Sequence, residues 1–268
     1  MAMATTTHGQ AHGDTRTEPL VVMTCDSHVQ PLFDPQLRAY CPKAHLQEFD
    51  DWLVRMQPRF EASDHGIFAL SSEDPAVRDI FAWNLQTNGQ YDIHTRLRDM
   101  DRDGVAAEVI FHGSAPMRPI PLLESGIGVP LSDLELARVG QHIYNQWLAD
   151  FCSVEPERHV GLAHLPMWDI DAAIEELVWA HAAGLKGVNF PAPRREITPY
   201  EDPAWDPFWS ACEDLEMTLA GHGGGGDSTP PTTGPCSGVI YIAEAAVFSR
   251  MSPLVRMGSG VSSSATPS

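Results

Sequence analysis

The sequence predicts an α/β fold in which short parallel strands alternate with covering helices. Short apolar runs rich in Val, Ile and Leu alternate with amphipathic stretches of helical period along most of the chain. Parallel strands need long return connections and must be covered by helices, so this alternation implies a parallel sheet. With 268 residues and 43% hydrophobic content, the chain also has the apolar mass for one core of the size of an α/β barrel.

Taken in order, Leu20 to Thr24 (LVVMT) reads as the first strand, closed by Asp26, Ser27 and His28, with Pro31 ending any ladder. Thr95 to Asp103 reads as a helix stopped by Gly104 and followed by the strand Val105 to Phe111. Ser132 and Glu135 make a capping box ahead of Leu136, Val139, Ile143, Tyr144, Trp147, Leu148 and Phe151, which recur at helical spacing. Then come a strand from Val160 to Leu165, a helix from about Asp171 to Ala183 ended by Gly184, and a strand from Gly187 to Phe190. A helix opened by Asp206 and Pro207 and a fifth strand from Met217 to Ala220 complete the series.

Residues 32–88, rich in Pro, Asp and aromatic side chains, are too many for a plain crossover and are expected to form a cap inserted over the mouth of the sheet. Residues 1–19 read as a disordered polar leader, 20–256 as the folded domain and 257–268 as a disordered low-complexity tail. Within the domain, residues 223–238 (GGGGDSTPPTTGPCSG) read as a loop and Val239 to about Ser249 as a short helix.

The 17 Lys+Arg against 36 Asp+Glu leave a net charge of −19, which repels nucleic acid and acidic membrane surfaces. No window of 18 apolar residues occurs, and the first residues lack the apolar centre of a secretion signal, so a cytoplasmic protein is expected. The five cysteines (Cys25, Cys41, Cys152, Cys212 and Cys236) are scattered without a CxxC pair. They are expected to be reduced thiols, mostly buried.

The strongest chemical signal is CDSHVQP, where Asp26 and His28 are two apart on a strand and therefore point to the same side. A carboxylate and an imidazole that converge form half of a site for zinc or manganese. The tripeptide alone is common, and a turn-capping Asp26 beside a surface His28 is the plain alternative. His222, in AGHGGGG, ends the fifth apolar run and so stands at the carboxyl edge, where parallel α/β sheets bind ligands. The glycine run lacks the Lys-Ser/Thr of a phosphate loop. His112, His164 and Asn189 also fall at strand ends and are candidates to line the same pocket, each with a hydrogen-bonded structural role as the alternative. His94, His142 and His181 fall on helices, where solvated faces are expected, and the absence of a GxSxG elbow argues against a serine nucleophile.

Together with DSH, the segments RLRDMDRDGVAAEVIF (Arg96 to Phe111), YNQWLADFCSVEPERHVGLAHLPMWDIDAAIEEL (Tyr144 to Leu177), GLKGVNFP (Gly184 to Pro191) and DPAWDPFWSACEDLEM (Asp202 to Met217) closely resemble the amidohydrolase-related family. That family includes aminocarboxymuconate-semialdehyde decarboxylase and related aromatic-acid decarboxylases. The resemblance implies a (β/α)8 barrel and one divalent metal, with zinc the first expectation and manganese the second, held here by Asp26, His28 and His222. His112 and Asn189 would line the substrate pocket. It implies a hydrolase or carboxy-lyase for a small carboxylated or cyclic substrate, and the open sheet edge of an incomplete barrel favours pairing into a homo-oligomer over a stable monomer.

The family's acid/base on strand six and its Asp on strand eight find no counterpart, so no catalytic acid/base is assigned. Each βα unit takes roughly 30 residues, whereas 268 − 222 = 46 residues follow His222. A barrel with five of its eight strands, truncated at the carboxyl end, is therefore expected, and a catalytically inactive fragment is the alternative to an enzyme.

Overall fold

The computed structural model describes residues 21–65, 75, 79, 86–113, 118–123, 133–191 and 197–221. Five strands, β1 (Val22–Val29), β2 (Val105–His112), β3 (His159–Ala163), β4 (Gly187–Phe190) and β5 (Thr218–Gly221), form one sheet in the order β1-β2-β3-β4-β5. Every neighbouring pair is parallel. A sheet that grows by one neighbour at a time without reversing has the strand order of a (β/α) barrel, because a doubly wound sheet reverses at a switch point. The described residues thus hold five consecutive units of barrel architecture.

Among the described residues the longer helices that accompany the strands are α1 (Leu46–His65), α2 (Ile93–Asp103), α3 (Leu134–Cys152), α4 (Ile170–Ala182) and α5 (Asp206–Asp214). The Asp92 carboxylate caps α2 by accepting the Thr95 N–H, and Gly104 ends it in the left-handed region at φ 71°. The cap of α3 is Asp133, which accepts the Leu136 N–H, and not the expected Ser132. Aspartate is as good a cap as serine and stands one residue nearer the apolar stripe. Ser132 itself, the glycine-rich loop, the short helix after it and both chain ends fall outside the described residues.

The strand limits differ from expectation where side chains compete for the backbone. β1 continues past Thr24 to Val29, so Asp26, Ser27 and His28 lie within it. Its register with β2 shifts between Thr24 and Ser27, a bulge that re-aims the residues after it. β3 starts at His159 and stops at Ala163, ahead of Leu165. Gln141 and Asn145 of α3 hydrogen-bond the carbonyls of Leu165 and His164 and take them out of the ladder. β5 begins one residue late, because the Met217 N–H still donates to the Cys212 carbonyl at the exit of α5.

The core lies between sheet and helices, with Ile110, Ala163, Val188 and Leu219 packed on a layer that includes Ile143, Leu148, Leu177 and Phe208. The described part of the insertion is built around α1, whose Trp52 and Phe60 pack on Phe33 with ring centroids 5.1 and 4.9 Å away. Gly140 of α3 is a point of closest approach, since a Cβ there would stand 1.7 Å from the Pro121 carbonyl oxygen.

One buried ionic cluster ties the first units together. Glu108 of β2, 1% exposed, accepts from Ser27 of β1 at 2.5 Å, from Arg96 of α2 and from His159 Nδ1 of β3 at 3.1 Å. Burial alone would raise the Glu108 pKa, but the hydrogen bonds from His159, Arg96 and Ser27 and the charge of Arg96 hold it down at about 2. Cys41, Cys152 and Cys212 are buried free thiols and Cys25 is an exposed one, while Cys236 lies outside the described residues. Among the described residues no helix is long and apolar enough to cross a membrane.

Candidate metal and substrate site

Because all five strands run the same way, their carboxyl ends form one edge of the sheet. His28 near the end of β1, His112 at the end of β2, His164 just past β3 and Asn189 in β4 all stand there.

Asp26 and His28 converge as their spacing requires, with Oδ1 of Asp26 3.2 Å from Nε2 of His28. The other ring nitrogen, Nδ1, lies 3.3 Å from the His112 carbonyl oxygen. A carbonyl only accepts, so Nδ1–H donates to it and Nε2 is the ring nitrogen that faces the carboxylate. Two electron-rich atoms in contact repel unless a proton or a cation lies between them. This arrangement, with a backbone carbonyl orienting a histidine whose second nitrogen faces a carboxylate, fits a divalent metal.

The remaining candidates are linked in a chain. In register, His112 pairs with Val29 and His28 with Phe111. The His112 ring packs edge-on against the buried Tyr144 of α3 at 4.9 Å and against His164 at 5.5 Å. Burial, and to a lesser degree the neighbouring His164 and His28, keep its pKa well below the ordinary 6.5. His164 is fixed at two places. The Asn145 side chain accepts its backbone N–H and donates to its carbonyl, both at 2.8 Å, and Asn189 Nδ2 lies 3.1 Å from its ring Nε2. Burial lowers the pKa of His164 to about 4. His222 directly follows the last residue of β5 and lies outside the described residues. Among the described residues no group of three or more His, Cys, Asp or Glu is placed to hold a metal, and Asp26 and His28 stand as a pair.

One supporting network escaped the sequence reading. Asn145 gives its second N–H to Glu176 of α4 at 2.8 Å, and Glu176 in turn pairs with His142 Nδ1 at 3.0 Å. His142 was expected on a solvated face. The available signal was polar character at core positions: Gln141 and Asn145 are four apart on the buried side of α3, the same side as Ala137, Tyr144 and Leu148.

Parallel units with a carboxylate–imidazole pair at the carboxyl edge define a class, the α/β-barrel proteins whose chemistry sits over the strand ends. Residues 91–254, more than half of the chain, match the amidohydrolase family, and the chain belongs to it. Gamma-resorcylate decarboxylase of Rhizobium sp. (strain MTP-10005) is 31% identical over 134 residues, which cover 48% of this chain and 38% of that protein. Gamma-resorcylate decarboxylase of Rhizobium radiobacter is 30% identical over the same length and share. The match therefore spans well under half the length of these curated relatives. Among solved structures, 5-carboxyvanillate decarboxylase of Novosphingobium aromaticivorans, with bound manganese, aligns at TM-score 0.46 and 19% identity over 85% of this chain and 55% of its own. 2,6-Dihydroxybenzoate decarboxylase from Rhizobium aligns at TM-score 0.42 and 21% identity over 83% of this chain and 53% of its own.

Proposed function

We propose that this chain acts as a metal-dependent carboxy-lyase on a small aromatic acid, with hydrolysis of a small cyclic or carboxylated substrate as the second reaction open to the same ligands. The observation that carries the reading is the 3.2 Å approach of Asp26 Oδ1 to His28 Nε2, with Nδ1 committed to the His112 carbonyl. Asp26 and His28 would hold one divalent ion together with His222, the ligand that the family pattern supplies. One carboxylate oxygen and imidazole nitrogens suit zinc or manganese, and zinc is our first assignment. A metal held there would supply Lewis acidity toward a substrate oxygen or a water. The decarboxylase relatives favour loss of carbon dioxide over hydrolysis. The chain's own residues at the edge would orient the substrate, with Asn189 and His164 toward β4 and the His112 carbonyl fixing the ligand ring. Free buried thiols at Cys41, Cys152 and Cys212 support a reducing, cytoplasmic setting.

Metal analysis of the purified chain, followed by assays of carbon dioxide release from hydroxybenzoates and of hydrolysis of esters and lactones, tests this. Retained metal and carbon dioxide release support it. Hydrolysis alone moves the assignment to the second reaction. A chain that takes up neither zinc nor manganese overturns both and favours the inactive-fragment reading.

A further inference from the structure

We propose that His164 contacts the substrate: tied at Nε2 by Asn189, its ring offers Nδ1–H to an oxygen of the small acid bound beside Asp26 and His28. This deepens the functional reading above and rests on it. Three features converge on that role. Asn189 Nδ2 donates to Nε2 at 3.1 Å, so the ring proton belongs on Nδ1. No described residue takes a hydrogen bond from Nδ1, and His164 as a whole is half-buried, just past the end of β3 at the carboxyl edge. The ring is also held rigidly, edge-on to Tyr144 at 5.4 Å and to His112 at 5.5 Å, while Asn145 grips both backbone polar groups of the same residue.

A donor without an acceptor among the described residues, oriented this firmly at the edge that carries the Asp26–His28 pair, is suited to an acceptor that arrives with the substrate. A carboxylate or phenol oxygen is such an acceptor. Burial disfavours the charged ring, so the contact is a neutral hydrogen bond and not an ion pair. It orients the acid without adding a second cation beside the metal.

The test has a spectroscopic arm and a binding arm. In ¹⁵N-histidine spectra of the wild-type chain, with His164 assigned by difference from His164→Phe, the Nδ1–H tautomer should persist without titration from about pH 5.5 to 8. An Nε2–H tautomer, or a midpoint near the ordinary histidine value, overturns the proposal. In calorimetry, manganese alone should bind His164→Phe and His164→Asn as it binds wild type. 2,6-Dihydroxybenzoate added to the manganese-loaded chain should bind His164→Phe about 10- to 100-fold more weakly. His164→Asn, whose amide places an N–H near the original Nδ1, should recover part of the loss. Unchanged binding of the acid to His164→Phe, or loss of manganese from either variant, overturns the role. Failure of the wild-type chain to take either manganese or zinc is a failure of the functional reading instead, and removes the inference with it.

Discussion

Asp26 and His28 were readable as a pair because a strand repeats every two residues, so their convergence needs no information from the rest of the fold. His164 was readable as a strand-end residue. Its clamp was not, because Asn145, itself held by Glu176, reaches it only once α3 and α4 pack on the sheet, a contact that sequence spacing does not encode. The same holds for Glu108, whose partners Ser27, Arg96 and His159 come from three other elements. That cluster makes a sharp residue-level test. Glu108→Gln leaves the Arg96 guanidinium without its carboxylate in a nearly closed site and should cost about 3 kcal/mol or more, measured as a lowered urea midpoint at pH 7. A change under about 0.5 kcal/mol would show that solvent already satisfies Arg96.

At the level of elements, helix ends were legible where a single side chain decides them. Gly104, at φ 71°, and the Asp206–Pro207 start behaved as the chemistry of those residues demands. Limits moved where two signals lay side by side or where tertiary bonds intervened, as at Asp133 against Ser132 and at the early end of β3. Asp133→Ala should cost about 1 kcal/mol by removing the acceptor for the Leu136 N–H, whereas Ser132→Ala should be nearly silent. Equal losses from the two would restore the serine cap. Gly140→Ala should destabilise by about 1–3 kcal/mol, because the added methyl meets the Pro121 carbonyl and backbone must move. Thermal or urea melts of these variants decide both points.

For the whole molecule, the unreversed strand order followed from the alternation of apolar runs and helices, while the insertion was left unread although Phe49, Trp52, Met56 and Phe60 of α1 recur at helical spacing on its buried side. Stability should depend on pH through buried groups that include His112, which acts in the same sense as His164, and Glu108. An unfolded His164 takes a proton as pH falls from 6.5 toward 4 while the folded one stays neutral. The unfolded Glu108 does the same between 4.5 and 2, where the folded carboxylate stays charged. In both windows the unfolded chain binds more protons, so stability rises with pH, and a urea-midpoint series should flatten below pH 4.5 in Glu108→Gln. The net charge of −19 is consistent with attraction of cations and small positive ions generally, so specific capture must be shown by mutation. The direct measurement is calorimetric titration of zinc and of manganese into the chain and into an Asp26→Ala/His28→Ala double variant of intact fold. One ion per chain is expected in the first, with affinity lowered about 100-fold in the second. Equal binding by both, or no binding by the first, would contradict a metal held at the end of β1.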